Sequence, residues 1–497
     1  MATSQPEERQ GLLTSSIESQ QTPVLGGPLV SVPVLFLVVI PAMIATVVIC
    51  FMNGLWFVSV GIIGLVVLFV AVEAVILLYH KNTFQLWALQ RPWNLISRLL
   101  LPLVEIVDSI GAGNTNNCMF TFNQYGKNFC ASGEVWLGSH SEVKKSVQNP
   151  QGRNYWLGEH PLLPSSVPHG EGGRCVFLLS LASKAVGGTG DHEAFRKCVV
   201  DTLLSDASVA RESDSISKEL MDSLTADFKK IDSGFDFYNS PVGGNQEFWT
   251  KYLHHVLFGL DIKNKEVMDT LNSFFTGDMA LMHYLYPFGY VPHFNLHSKI
   301  EKVAELYEKS PALKNFKVKA EYNNMTAKEL ALLMTSIMRI AGVQGSRMLA
   351  WFCTSGVIYG NLRIDAREVW DTIDLTNEDD LKKYVLEVSR LSPPVTVSHR
   401  VAMEDFSCEI AGKTYNFPKG TKVAIPLVFA NIDQDVWGAD VWDFKHKRPG
   451  LEKNHAGFNS VDGVGNRECP GKGLVMRTMV RILQDLGKER RKQKASA

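Results

Sequence analysis

The stretch Gly463-Val464-Gly465-Asn466-Arg467-Glu468-Cys469-Pro470-Gly471-Lys472-Gly473 brings a thiol, cations and several glycines together. Pro470 suits the first position of a helix, where its missing N–H costs nothing. That places Cys469 at the N-cap of the last helix, where backbone N–H groups and the helix dipole favour a thiolate. Gly463, Gly465 and Gly471 let the backbone pass close to a flat ligand. Arg467, two residues before the cysteine, can pair with a carboxylate on that ligand. A thiolate, a close backbone and a carboxylate-binding Arg describe a site for haem iron held by cysteine. The competing reading is a buried, inert Cys in a Gly-rich turn. A phosphate loop is excluded, because Asn466 stands where its first Gly belongs and Gly473 replaces its Ser/Thr.

These residues resemble the haem loop of the cytochrome P450 family, F-x-x-G-x-R-x-C-x-G. Gly465, Arg467, Cys469 and Gly471 match it. Asp462 stands in place of the Phe, and Phe458 lies four residues earlier. Further matches fall in the family's order. Glu387-Val388-Ser389-Arg390 is similar to its E-x-x-R, whose two charged side chains share a helix face; Pro393-Pro394 then ends that helix. The segment Asn431 to Gly438, continuing to Phe444 and Arg448, resembles its meander. The resemblance implies a structural ion network of Glu387, Arg390 and Arg448. His399-Arg400 and Phe417-Pro418-Lys419-Gly420-Thr421 match the strand region between, which implies that Arg400 points at a haem propionate. Asp191 to Lys197 resembles the W-x-x-x-R helix that grips a propionate, with His192 in the Trp place. The spacing of four puts His192 and Arg196 on one face. The competing reading there is an exposed basic helix start. Taken over residues 85–487, the resemblance implies a mainly α fold with a minor β-sheet, haem b (iron protoporphyrin IX) as cofactor, and Cys469 as axial ligand of the iron.

Thr326 and Glu329 form a capping box for a long helix from Ala327 to about Tyr359. By resemblance it crosses over the haem. The family pattern A/G-G-x-D/E-T-T/S reads here Ala341-Gly342-Val343-Gln344-Gly345-Ser346. Gly342 would let a ligand approach the iron. The acid–alcohol pair that relays protons to dioxygen is missing. Gln344 cannot supply a proton, Gly345 has no side chain, and Ser346 lies about 100° further round the helix. This resembles the prostacyclin synthase and allene oxide synthase types. Two enzymatic readings stand. One is a monooxygenase of a lipophilic substrate, served by an NADPH-dependent reductase, with Ser346 or water relaying protons. The other is a reductase-independent isomerase, dehydratase or lyase of fatty-acid hydroperoxides, with Gln344 orienting the substrate. A third, non-enzymatic reading is an inactive haem- or sterol-binding membrane protein.

The elements that position this chemistry sit in a chain of 497 residues with 50 Lys plus Arg against 51 Asp plus Glu. That balance argues against a nucleic-acid partner, which would call for a basic excess. The average hides a split. From Leu29 to Tyr79 only Glu73 is charged. The block is too long for one membrane span and breaks at Met52-Asn53-Gly54. It reads as a hairpin of two spans, about 30–51 and 55–79, within 29–80, with Glu73 near the interface beside Lys81. Lys81, Arg91 and Arg98 follow it while only Arg9 precedes it, which places the body in the cytosol. The expected organisation is a disordered cytosolic tail (1–28), the hairpin, a juxtamembrane segment (81–110) and a haem domain (111–497). The expected location is the endoplasmic reticulum, in contact with membrane lipid. Helical patterns dominate from about 190 to 390. Strand-like alternation runs over Phe406–Val423 with turns at Ala411-Gly412-Lys413 and Pro418-Lys419-Gly420, and a last helix spans about Gly471 to Leu486 before a solvated basic tail. The eight cysteines are scattered without a C-x-x-C pair, so neither a zinc site nor a disulfide framework is indicated.

Overall fold

The computed structural model describes residues 127–131, 134–148, 191–228, 245–275, 293–335, 367–391, 397–410, 412–465 and 467–496, with shorter pieces among and before them. The hairpin at 29–80 lies outside the described residues except for Met52, Val60, Gly61 and Gly64; segments 1–28 and 81–110, and Gln344 and Ser346, lie wholly outside. Among the described residues no helix is long and apolar enough to cross a membrane.

Strands β1 (Asn128–Ala131) and β2 (Glu134–Leu137) pair antiparallel and lead into helix α1 (His140–Gln148) and strand β3 (Gly152–Arg153). Six helices follow: α2 (Asp191–Leu203), α3 (Asp206–Glu212), α4 (Ser215–Phe228), α5 (Asn245–Phe258), α6 (Lys265–Phe275) and α7 (His293–Glu308). Helix α8 (Glu378–Leu391) then precedes strands β4 (Val397–Ala402), β5 (Phe406–Ile410), β6 (Lys413–Phe417) and β7 (Lys422–Pro426). Short helices α9 (Leu427–Asn431) and α10 (Gln434–Trp437) and the long α11 (Lys472–Ser496) complete the body, which is mainly helical with small sheets.

The largest sheet runs β1-β2-β7-β4-β3, with β7 parallel to β2 and antiparallel to β4. Its register sets Arg400 opposite Val423, in the middle of β4. The expected alternation over Phe406–Val423 resolves into the β5–β6 hairpin and the start of β7. Ile410 pairs with Lys413 across Ala411-Gly412, where Gly412 has φ +77°, a left-handed value that glycine takes without a steric cost.

The main apolar core lies between the helices. Phe258 of α5 stacks on Tyr307 of α7 with ring centroids 4.0 Å apart, both without solvent exposure. Helix α8 brings Tyr384, Val385 and Val388 into this core, and α11 brings Met479, Leu483 and Leu486. Helix α8 starts where Asn377 accepts N–H bonds from Asp379 (3.1 Å) and Asp380 (3.2 Å). Three acids in its first turn, Glu378, Asp379 and Asp380, complement the positive end of its dipole.

The structure corrects three expectations. The capping box forms, with Thr326 N–H donating to Glu329 Oε2 at 2.8 Å and Glu329 N–H to Thr326 Oγ1 at 3.2 Å. Residues 327–335, 337–338 and 341–342 are helical. The helix does not reach Tyr359, because Val357–Tyr359 is a strand paired antiparallel with Leu362–Ile364. β-branched Val357 and Ile358, followed by Gly360-Asn361, favour a tight hairpin over a helix there. Helix α11 begins at Lys472 and continues past Leu486 to Ser496. The basic tail that reads as solvated is held in that helix: Arg490 and Lys494 pair with Asp371, and Arg491 donates to the carbonyl of Ile373. Cys469 is therefore three residues ahead of the helix rather than at its N-cap.

Candidate active site

Cys469 lies in a turn closed by its own carbonyl, which accepts Lys472 N–H at 3.2 Å. Its sulfur accepts the backbone N–H groups of Gly471 and Lys472. The electrostatic advantage expected of an N-cap thus survives the shift in helix start. Burial pushes the thiol pKa up, opposed by the Gly471 N–H, the Arg196 charge and the Lys472 N–H; the Glu468 charge adds to the rise. These donors favour the deprotonated sulfur that a metal requires.

The loop before the cysteine folds back on itself. Isolated bridges join Gly457 to Ser460 and Val461 to Val464. Phe458, Asn459, Asp462 and Gly463 all take left-handed backbone conformations, so two tight turns follow each other. Cys469 N–H donates to the carbonyl of Phe458 at 2.8 Å. Phe458, rather than Asp462 at the expected spacing, is thus the residue of this loop whose backbone meets Cys469, and a second turn lies between them. The glycines divide by role. A Cβ on Gly465 would come within 2.3 Å of the Asn459 carbonyl oxygen, so Gly465 serves chain-to-chain packing rather than ligand approach. Among the described residues, a Cβ on Gly471 would meet only the Cys469 sulfur, at 3.8 Å, and one on Gly342 would meet nothing within 4 Å. Those two positions leave room for a ligand.

Four nitrogenous side chains face this loop. Helix α2 supplies His192 and Arg196, strand β4 supplies Arg400, and the loop supplies Arg467. Arg196 donates to the carbonyl of Glu468, next to the cysteine. Arg400 Nη1 donates to the Ser146 carbonyl (3.0 Å) and Nη2 to Asn459 Oδ1 (2.8 Å). His192 is 4% exposed, which removes the reading of an exposed helix start. Its pKa falls to about 3, chiefly through burial and then through the charges of Arg467, Arg196 and Arg400. Burial, with Arg467 second, lowers Arg400 to about 9. No carboxylate counters either residue's shift. His192 Nδ1 and Arg400 Nε are buried without a hydrogen-bond partner among the described residues. A buried Arg400 with an unspent Nε–H and no carboxylate beside it among the described residues, next to a neutral imidazole with a free Nδ1, fits a ligand that brings its own carboxylates. The residues therefore fit a haem.

Behind the loop, Glu387, Arg390 and Arg448 meet as one network. Arg390 is bidentate on Glu387, through Nε at 2.8 Å and Nη2 at 2.9 Å, and Arg448 Nε reaches Glu387 at 3.3 Å. Arg390 also donates to the carbonyls of Asn431 (2.8 Å) and Val441 (2.7 Å) and lies over the Trp437 ring at 5.0 Å. Arg448 adds Asp440 Oδ1 at 2.9 Å. The network touches none of the groups that face the cysteine, so its work is to hold the meander against α8. Sequence reasoning missed Asn459, which joins Arg400 to the loop; its only local signal is the tolerance of Asn for left-handed backbone.

Comparison with known proteins agrees with this arrangement. The family model for cytochrome P450 matches residues 374–486. Cytochrome P450 734A1 of Arabidopsis thaliana is 27% identical over 184 residues, 34% of this chain and 34% of that protein. Sterol 14-demethylase of the same plant is 34% identical over 110 residues, 20% of this chain and 22% of that protein. The matched part thus spans about a third of the first relative. Among solved structures, retinoic acid bound cyanobacterial CYP120A1 superposes with a TM-score of 0.52 at 15% identity, covering 77% of this chain and 89% of that one. CYP109E1 from Bacillus megaterium gives 0.52 at 14% identity over 76% and 89%. The fold is that of a mainly helical haem protein with small sheets. Residues 374–486 belong to the cytochrome P450 family, whose members are in general oxidoreductases with a haem held by cysteine.

Proposed function

We propose that the chain is a membrane-anchored oxidoreductase that binds haem b through Cys469 and oxygenates a lipophilic substrate, with electrons from an NADPH-dependent reductase. The carrying observation is that His192 and Arg400 lie buried among further cations, with no carboxylate among the described residues countering their shifts, beside an amide-solvated sulfur. Cys469 would ligate the iron, with Gly471 giving room beside the sulfur. Arg400, Arg467 and Arg196 would bind the haem carboxylates, and neutral His192 would donate one more hydrogen bond. Bound haem supplies the redox chemistry, favoured toward O–O cleavage by a thiolate ligand. The apolar sequence at 29–80, with the cations that follow it, supports the membrane anchor and a cytosolic body at the endoplasmic reticulum, where lipid and substrate share one phase.

A second reading rests on Gln344-Gly345 in place of the acid–alcohol pair. A substrate that carries its own O–O bond needs no proton relay to dioxygen and no reductase. Gln344 would then hold a fatty-acid hydroperoxide by hydrogen bonds for isomerisation, dehydration or lysis. The deciding experiment offers the purified, haem-loaded chain such a hydroperoxide without reductase or NADPH. Little turnover is expected of a monooxygenase. Fast turnover would make the second reading the main activity. Absence of a thiolate-type carbon monoxide difference band would sink both.

A further inference from the structure

The geometry points to Asn459 as a positioning residue that ties the propionate-facing Arg400 to the cysteine loop. This rests on the haem-thiolate reading. Asn459 takes φ +58°, in a turn that projects its amide between two elements. Its Oδ1 accepts Arg400 Nη2 at 2.8 Å, and its Nδ2 donates to the Arg467 carbonyl at 3.0 Å. Arg467 is two residues from Cys469, and Phe458, just before Asn459, accepts the Cys469 N–H at 2.8 Å. The Asn459 carbonyl is the oxygen against which Gly465 packs. One residue therefore sets the depth of the loop, the height of the sulfur and the direction of Arg400.

A neutral amide is the group this place requires. It accepts from Arg400 without cancelling its charge, leaving that charge for the haem carboxylate. It also donates, which a carboxylate cannot do. Asp would fit the same space and backbone, yet would neutralise Arg400 and face the Arg467 carbonyl with a second acceptor.

The test uses the full haem-loaded chain in detergent and two variants. Asn459→Gly keeps the left-handed turn without strain and removes both hydrogen bonds. Asn459→Asp is isosteric and keeps only the acceptor. Haem transfer to apomyoglobin should quicken at least about tenfold in both, the loss expected of one hydrogen bond to a charged group. The carbon monoxide band should move partly from the thiolate to the non-thiolate position in Asn459→Gly. A third readout needs no haem: amide exchange in peptides spanning 458–469 should quicken in the apoprotein of both variants. Wild-type haem transfer in either variant, an unshifted band in Asn459→Gly, or unchanged amide exchange would overturn the proposal. A wild-type chain without the thiolate band, but with loop exchange quickened by both variants, would instead indict the haem-thiolate reading.

Discussion

Arg390 grips Glu387 through two hydrogen bonds, one to each carboxylate oxygen, 2.8 and 2.9 Å long, and neither side chain is exposed at all. A buried pair of this kind stabilises only while both members are present. Glu387→Ala leaves Arg390 charged in the interior with its fork unmatched. The expected cost is about 3–5 kcal/mol, read as a lower urea midpoint of the apoprotein. The same variant should keep whatever haem affinity survives folding, because Glu387 is on the far side of the loop. A fall below about 1 kcal/mol would show that the network is not the scaffold described above.

Cys469→Ala removes the sulfur to which the Gly471 and Lys472 amides donate. The carbon monoxide band of the variant should lose its thiolate position entirely. Persistence of that band would assign the iron to another ligand.

Arg400→Leu separates stability from cofactor binding by sign. In the apoprotein Arg400 is a buried charge with no protein anion among the described residues, and burial already lowers its pKa to about 9. Replacing it with a shorter apolar side chain removes that uncompensated charge and should leave the apoprotein within about 1 kcal/mol of wild type or more stable. Haem retention should fall about tenfold or more, for want of a charge-assisted bond. Urea titration of apoprotein and haem transfer to apomyoglobin measure the two. Loss of both together would mean that Arg400 serves only the fold.

Stability should fall with acid through buried imidazoles, His192 of the site and two more in the scaffold. His254, held by the Thr250 carbonyl and the Tyr307 hydroxyl, is lowered to about 4 by burial. His455, bonded to Ser389 at 2.7 Å, is lowered to about 3 by burial first and then by the charges of Lys472 and Arg390. In the unfolded chain all three titrate near 6.5. Below that pH the unfolded state binds more protons, so stability drops as pH drops, until the folded values are reached. Each group adds a slope approaching about 1.4 kcal/mol per pH unit. Denaturant midpoints between pH 7.5 and 5 should show it, and His455→Asn should flatten the slope by one proton's share. An unaltered slope in the variant would remove His455 from this account.

The site was legible where chemistry is local in sequence. Glu387 and Arg390 are one helical turn apart, Thr326 and Glu329 cap their own helix, and the β5–β6 hairpin is written in its alternation and in Gly412. His192 and Arg196 were readable as one face, though not as buried, since burial depends on a loop more than 270 residues away (Arg196 reaches Glu468). Asn459 was not readable because its partner Arg400 is 59 residues distant. The end of α11 was misjudged for a related reason. Five cations within Lys488–Lys494 look solvated until Asp371, far upstream, offers a carboxylate to two of them.

The double turn at 457–464 has a consequence for chain length. From Phe458 to Cys469 the backbone has contour enough for about 36–40 Å when extended, yet its two ends meet at 2.8 Å. Nearly all that contour is slack, stored in closed turns beside the sulfur. Residues could be added or removed at Asp462-Gly463 with little displacement of Cys469, so long as the second turn still closes. Spacing along the chain is in this place a poor ruler for distance in the molecule.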